Sequence, residues 1–326
     1  MTKNDTIRLK LFQAYSTNLK LVTKKMDWKL GFKNEQGQIE EPTDPFICPI
    51  CYKLFVKESL DQKTSNPLTL EDVPPRKLGG KPITLTCKSC NNKLGGLKLD
   101  SKLIWHQEIE PFFKRKPNSH ISAYYEINKR TKAMGKLTYI DKNKFGISFI
   151  TNTNPNLKKE IDYLIKNWDK TTIKFSFQAP NQKKVLLALL RVAFLKMFST
   201  FGYGYFFNSS SRLISHQLFE PDKDLIPDFG IPSFDNLTSN VNGIHLITSP
   251  NEVRSFLVIF DVSLAGNTKT YSVLIPGPDE DCLSIYSKFK EKKKYHLELT
   301  PIPTVDYLTD ERNIFAYTEM WNKFKK

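Results

Sequence analysis

Four of the chain's five cysteines stand in two Cys-x-x-Cys pairs, Cys48/Cys51 and Cys87/Cys90. A two-residue spacer lets both thiolates of a pair turn onto one ion, and two such pairs supply the four ligands of a tetrahedral site. About 35 residues separate the pairs, so a structured insert must bring the two knuckles together. Zinc is the expected ion. Four unrelated buried thiols are the plainer reading, which the pairing of four cysteines out of five argues against. Disulfides suit an exported protein, but the start MTKNDTIRLK has no apolar core of an export signal. The most apolar run, residues 185–198, is broken by Arg191 and Lys196. A cytoplasmic chain with reduced thiols and no membrane segment is expected. Cys282, in GPDEDCLSIY, has no partner motif and reads as a lone thiol.

Charge narrows the partners. Residues 1–150 hold 27 Lys and Arg against 15 Asp and Glu, and residues 151–326 hold 22 against 19, so the first half carries +12 of the formal +15. Lys24–Lys25, Arg76–Lys77 and Lys114–Arg115–Lys116 stand around the cysteine pairs, where a phosphate backbone would need them. Nucleic acid is the natural partner, against the plainer reading that a Lys-rich surface only keeps the chain soluble. The chain's 326 residues exceed what one core usually fills, and two or three domains are expected.

The insert reads as strand, turn, strand, helix. Leu68-Thr69-Leu70 is a short β-type run ending in the adjacent carboxylates Glu71 and Asp72. Pro74 and Pro75 then stop any helix, and RKLGGK makes a glycine-tipped turn. Ile83 to Thr86 is β-branched and delivers the chain to Cys87. Residues 91–102 can start a helix. Acidic residues on a first strand, opposite an Asn at a helix start, can form a one-metal site for phosphodiester chemistry.

ICPIC, LTLEDVPPRKLGGKP, LTCKSCNNKLGG and LDSKL together resemble an HNH endonuclease of the zinc-stabilised, ββα-metal kind, over about residues 46–104. The resemblance implies that Cys48, Cys51, Cys87 and Cys90 hold structural zinc. It implies Glu71 as ligand of a catalytic Mg²⁺ or Mn²⁺, Asp72 at the place of the general-base His, Asn91 as the orienting Asn, and Asp100 or Lys102 at the helix position, where Asp100 would share the ion with Glu71. Host defence against foreign nucleic acid or a mobile element is the usual setting of such nucleases. The chain departs from the pattern at residue 72, where Asp replaces His. A carboxylate with a reference pKa near 3.9 is a weaker base than an imidazole near 6.5. His106 lies one turn beyond Lys102 and is the nearest histidine that could serve as ligand or base, although a His beside Trp105 is more often packed. Lys102, which cannot ligate a metal, would hold phosphate with Arg76 and Lys77.

Elsewhere, residues 6–30 show helical spacing of Ile7, Leu11, Tyr15 and Leu19 with basic residues between, and 35–45 reads as a linker. KLTYI, FGISFI and IKFSFQA alternate as strands within 121–177, with a helix around NLKKEIDYLIKNW. Residues 183–201 form the best helix of the chain, followed by an aromatic GYGYFF that closes a core more readily than it stacks on bases. After a proline-rich loop from Pro221, GIHLITS, SFLVIFDVSL, TKTYSVLIPG and KYHLELTPI read as four strands of an antiparallel sheet. His216, His245 and His296 stand apart from other ligand types.

The expected fold is therefore α+β. A zinc-stabilised ββα-metal module is inserted in or precedes a larger mixed α/β scaffold with an antiparallel C-terminal sheet. Expected domains are 1–40 (helical segment and linker), 41–115 (zinc module) and 116–326 (mixed α+β). Two functions are carried forward: an HNH-type metal-dependent endonuclease acting on nucleic acid, DNA before RNA, and an inactive zinc-stabilised nucleic-acid-binding protein. A protein partner or oligomer is compatible with both.

Overall fold

The computed structural model describes residues 2–33, 39–127, 129, 131–149, 155–167, 172–177, 179–231, 241–278, 281–291 and 295–324. The fold is α+β, with antiparallel sheets and eight α-helices among the described residues. In chain order, α1 (Lys3–Lys25) is followed by β1 (Phe32–Lys33), β2 (Ile39–Glu40), β3 (Phe46–Ile47), β4 (Leu54–Phe55), β5 (Leu68–Val73) and β6 (Lys81–Cys87). A π-helical stretch, Ser89–Asp100, runs into α2 (Ser101–Phe113). Then come β7 (His120–Ile127), β8 (Thr131–Tyr139), β9 (Phe145–Phe149), α3 (Pro155–Lys166) and β10 (Ile173–Ser176). The last stretch holds α4 (Gln182–Phe201), α5 (Tyr203–Phe206), α6 (Ser209–Phe219), β11 (Gly243–Ser249), β12 (Ser255–Leu264), β13 (Asn267–Pro276), α7 (Cys282–Glu291), β14 (Glu298–Pro301) and α8 (Ala316–Lys323). No helix among the described residues is long and apolar enough to cross a membrane.

The chain divides into two compact units, residues 1–101 with 183–326, and residues 102–182. These are not the expected breaks near residues 40 and 115. The reason lies in α1, whose start is fixed by a reciprocal Thr2/Asp5 cap. Its buried face carries Phe12, Tyr15, Leu19 and Val22. Tyr15 stacks on Phe198 of α4 at 4.9 Å between ring centres and meets Phe46 edge-on at 5.8 Å. The N-terminal helix, the cysteine module and α4 therefore share one core, and a cut at residue 40 would expose it.

In that larger unit α4 is buried along most of its length, as its all-round apolar sequence requires. Tyr203, Tyr205 and Phe206 of the GYGYFF segment are buried and pack with Phe198, Phe201 and Phe256, each large side chain contributing about 2 kcal/mol of burial. The C-terminal strands pair in the order β13-β12-β11-β14, all antiparallel. The two-residue turn Ala265–Gly266, both at positive φ, joins β12 to β13 and matches the natural twist of a tight hairpin.

The smaller unit is a four-stranded antiparallel sheet in the order β10-β7-β8-β9. Along β7, Ile121, Ala123, Tyr125 and Ile127 are buried and the intervening His120, Ser122 and Tyr124 exposed, the period-2 pattern of a one-sided sheet. Ile121, Ala123 and Tyr125 pack with Leu137 and with Ile109 and Phe112 of α2.

Candidate functional site

The first knuckle begins where β3 pairs with β4. The Cys48 N–H donates to Lys53 O at 3.0 Å and the Tyr52 N–H to Cys48 O at 3.0 Å, with Tyr52 in the left-handed region at φ 57°. That turn brings Cys48 and Cys51 to the same side. Tyr203 clamps the strand behind it, accepting from the Ile47 N–H and donating to Ile47 O, both at 2.8 Å. The second knuckle begins at the end of β6, where Cys87 leaves the strand and Cys90 enters the helical turn. Asn66 caps that turn by accepting from the Ser89 N–H at 2.9 Å.

All four Sγ atoms lie within 4.8 Å of one another, and Cys51 and Cys87 are 3.8 Å apart. A disulfide would need about 2.05 Å. A tetrahedron of sulfurs bound at about 2.3 Å has edges of about 3.8 Å. The four cysteines are positioned to hold a metal ion. Hydrogen bonding from Cys48 holds the Cys51 and Cys87 thiols down, while burial pushes Cys48 itself up.

Between the knuckles, β5 and β6 pair from Leu68↔Cys87 to Val73↔Lys81, with an irregularity in which Glu71 faces Thr84 and Asp72 faces Pro82. Ile83 is the extra residue, and such a bulge re-aims side chains locally. Glu71 is 2% exposed. It accepts from the Thr86 hydroxyl at 2.7 Å and lies 2.9 Å from Nη2 of Arg191, itself 3% exposed, on α4. Nη1 of the same guanidinium is 3.4 Å from Asp100 Oδ1. Burial raises both carboxyls above their usual range and Arg191 draws them back. Burial lowers Arg191, yet Glu71 and Asp100 beside it leave it above its ordinary value. Gly95 makes room for this cation: a Cβ there would lie 2.5 Å from Arg191 Nη2.

The two carboxylates expected to share a catalytic ion do converge, but on a guanidinium. Arg191 already supplies the positive charge their burial demands, and a divalent cation would have to displace it. Asn91 donates to Thr69 Oγ1 at 3.0 Å and to Leu70 O at 2.8 Å, fastening the helical stretch to β5 beside Glu71. Asp72 is mostly buried. Its Oδ2 accepts from Arg76 Nε at 3.0 Å, and its Oδ1 is buried with no hydrogen-bond partner among the described residues. Arg76 and Lys77 are exposed on the turn after β5. Lys102 and His106 stand on α2 within the smaller unit, both half-buried. His216 pairs with Glu220 at 3.0 Å and His245 bonds Val241 O at 2.8 Å, in keeping with structural roles.

Arg191 is the site residue that sequence reading passed over. Its signal was a charge inside the apolar run of residues 185–198, read there only as an interruption. Among the described residues the four cysteines form the one cluster of three or more metal-ligating side chains. Comparison with family models, curated proteins and solved structures returns no match for this chain.

Proposed function

We propose that this chain is a zinc-stabilised nucleic-acid-binding protein whose HNH-like centre binds without cleaving. The observation that carries the reading is the buried Glu71–Arg191–Asp100 cluster. A one-metal phosphodiesterase centre needs open carboxylate oxygens for its ion and a base that accepts a proton near neutral pH. Here Arg191 holds one oxygen of each carboxylate, Glu71 Oε2, which Thr86 also meets, and Asp100 Oδ1, placing a cation where the ion would sit, and the position of the base holds a carboxylate paired with Arg76. Zinc suits the Cys48, Cys51, Cys87 and Cys90 set, which matches thiolate ligation at tetrahedral spacing. When bound it would fix the ends of the β3–β4 turn and of β6, and so the base of the hairpin that presents Arg76 and Lys77. These exposed cations provide phosphate contacts, and the formal +15 charge supports a polyanionic partner.

The test is a plasmid and single-strand cleavage assay with Mg²⁺, Mn²⁺ or EDTA, run beside binding titrations at several salt concentrations. No cutting is expected in any condition. Affinity is expected to fall as salt rises, and Arg76→Gln/Lys77→Gln to flatten the slope of log K against log salt by about 1 to 2. Asp72→His alone is expected to remain inactive, because Arg191 still holds both carboxylates. Metal-dependent cutting that Asp72→Ala abolishes would replace this reading with the endonuclease.

A further inference from the structure

The sheet of residues 102–182 has one closed face and one open face. Tyr124 stands at the centre of the open one, directly opposite Met134 of β8 and Ser176 of β10. Tyr124 is 62% exposed and Met134 45% exposed, an unusual pair to leave side by side in water. Two residues further along β7, Glu126 lies between Lys132 and Lys174. Two residues back, Ser122 lies opposite Lys136. All three lysine side chains are exposed, and none has an ion pair or hydrogen bond among the described residues. Glu126 neutralises neither neighbour by direct contact.

The charge count points the same way. Residues 102–182 hold 15 Lys and Arg against 7 Asp and Glu, a net +8 of the chain's formal +15 on a quarter of its length. The basic excess therefore concentrates in this unit rather than in the cysteine module. A flat apolar centre flanked by three ammonium groups with no ion-pair partner among the described residues complements a ligand that has both flat rings and regularly spaced anions. Side chains on one face of a strand repeat at about 6.6 Å, and neighbouring strands lie about 4.8 Å apart. Cations therefore stand on both sides of the aromatic within one or two nucleotides' reach. In a duplex each base is covered above and below by its neighbours, and a tyrosine ring can take only the face of an unstacked base.

We propose that the open face of this sheet binds single-stranded nucleic acid, with Tyr124 as the stacking platform and Lys132, Lys136 and Lys174 as phosphate contacts. The proposal rests on the nucleic-acid reading above and adds to it a separate surface and a preference for unpaired strands.

The experiment uses the full zinc-loaded chain, a fluorescent thymidine oligomer and a hairpin duplex, with affinities read by anisotropy over a salt series. Tyr124→Ala is expected to weaken oligomer binding by about 5-fold or more and to leave the duplex unchanged, with Tyr124→Phe keeping most of the affinity. Lys132→Gln/Lys136→Gln/Lys174→Gln is expected to lower the salt slope for the oligomer by about 2. Oligomer affinity unmoved by Tyr124→Ala overturns the proposal, as does displacement of the oligomer by polyglutamate at equal charge, which would mark an acidic-protein surface. If Arg76→Gln/Lys77→Gln alone alters binding, the cysteine-module reading stands and this one falls. If neither nucleic acid binds, both fall.

Discussion

Glu71 and Arg191 are almost fully buried, and neither charge would be tolerable there without the other. Arg191→Met leaves two carboxylates in a site whose burial already raises their pKa values. It is expected to cost about 3 to 5 kcal/mol in urea denaturation, and a loss under about 1 kcal/mol would sink the account. Arg191→Met/Glu71→Gln/Asp100→Asn, which neutralises the whole set, is expected to recover most of that loss. Lys196, on the same helix, allows a test by pH. Burial lowers its pKa, with Asp261 opposing, so the unfolded chain binds more protons than the folded one between the folded value and the ordinary one. Stability should rise with pH across that interval, and melting curves of Lys196→Met should lack that rise. Residue identity made the four cysteines legible as ligands, because their spacing is local. It left Arg191 illegible, because Asp100 lies 91 positions away and only packing brings the two together.

At the scale of elements, the β5–β6 hairpin and the helical stretch after it act as one piece, since Asn91 ties the first turn of that stretch to the backbone of β5. Gly95 is where this piece meets α4. Gly95→Ala would press a methyl group against the guanidinium, and the ion pairs leave that end of Arg191 little freedom to yield. Destabilisation of about 1 to 3 kcal/mol is expected by thermal or urea unfolding, and Arg191→Met should abolish the increment. Much at this scale was readable beforehand. The strand, turn, strand, helix order, the helix of residues 183–201 and the four C-terminal strands all follow from periodicity and turn residues. The π-helical form of Ser89–Asp100 was not readable, nor was the bulge at Ile83. The bulge is one extra residue and the π-helical stretch a wider winding over twelve, and no local pattern encodes either. The N-terminal helix ends at Lys25 rather than near residue 30.

For the whole molecule, the cysteine module is not a detachable unit but part of the core that α1 and α4 build. Removing an ion held by the four cysteines should therefore be felt well beyond the knuckles. Purified chain is expected to carry one zinc by elemental analysis. Chelation, or Cys87→Ser, is expected to lower the melting temperature by about 10 °C or more, which is several kcal/mol at about 2 to 4 °C each. A melting curve indifferent to chelator would remove zinc from the fold's support. The sequence by itself determined the ligand set, the α+β alternation, the antiparallel C-terminal sheet and the basic character, because each is written in spacing, period or composition. Tertiary structure alone decided that Glu71 and Asp100 face a guanidinium, that α4 joins the N-terminal helix in the module's core, and that Tyr124, Lys132, Lys136 and Lys174 share one open face. Those outcomes depend on which distant segments pack together, and charge compensation and burial are properties of that packing rather than of any stretch of chain.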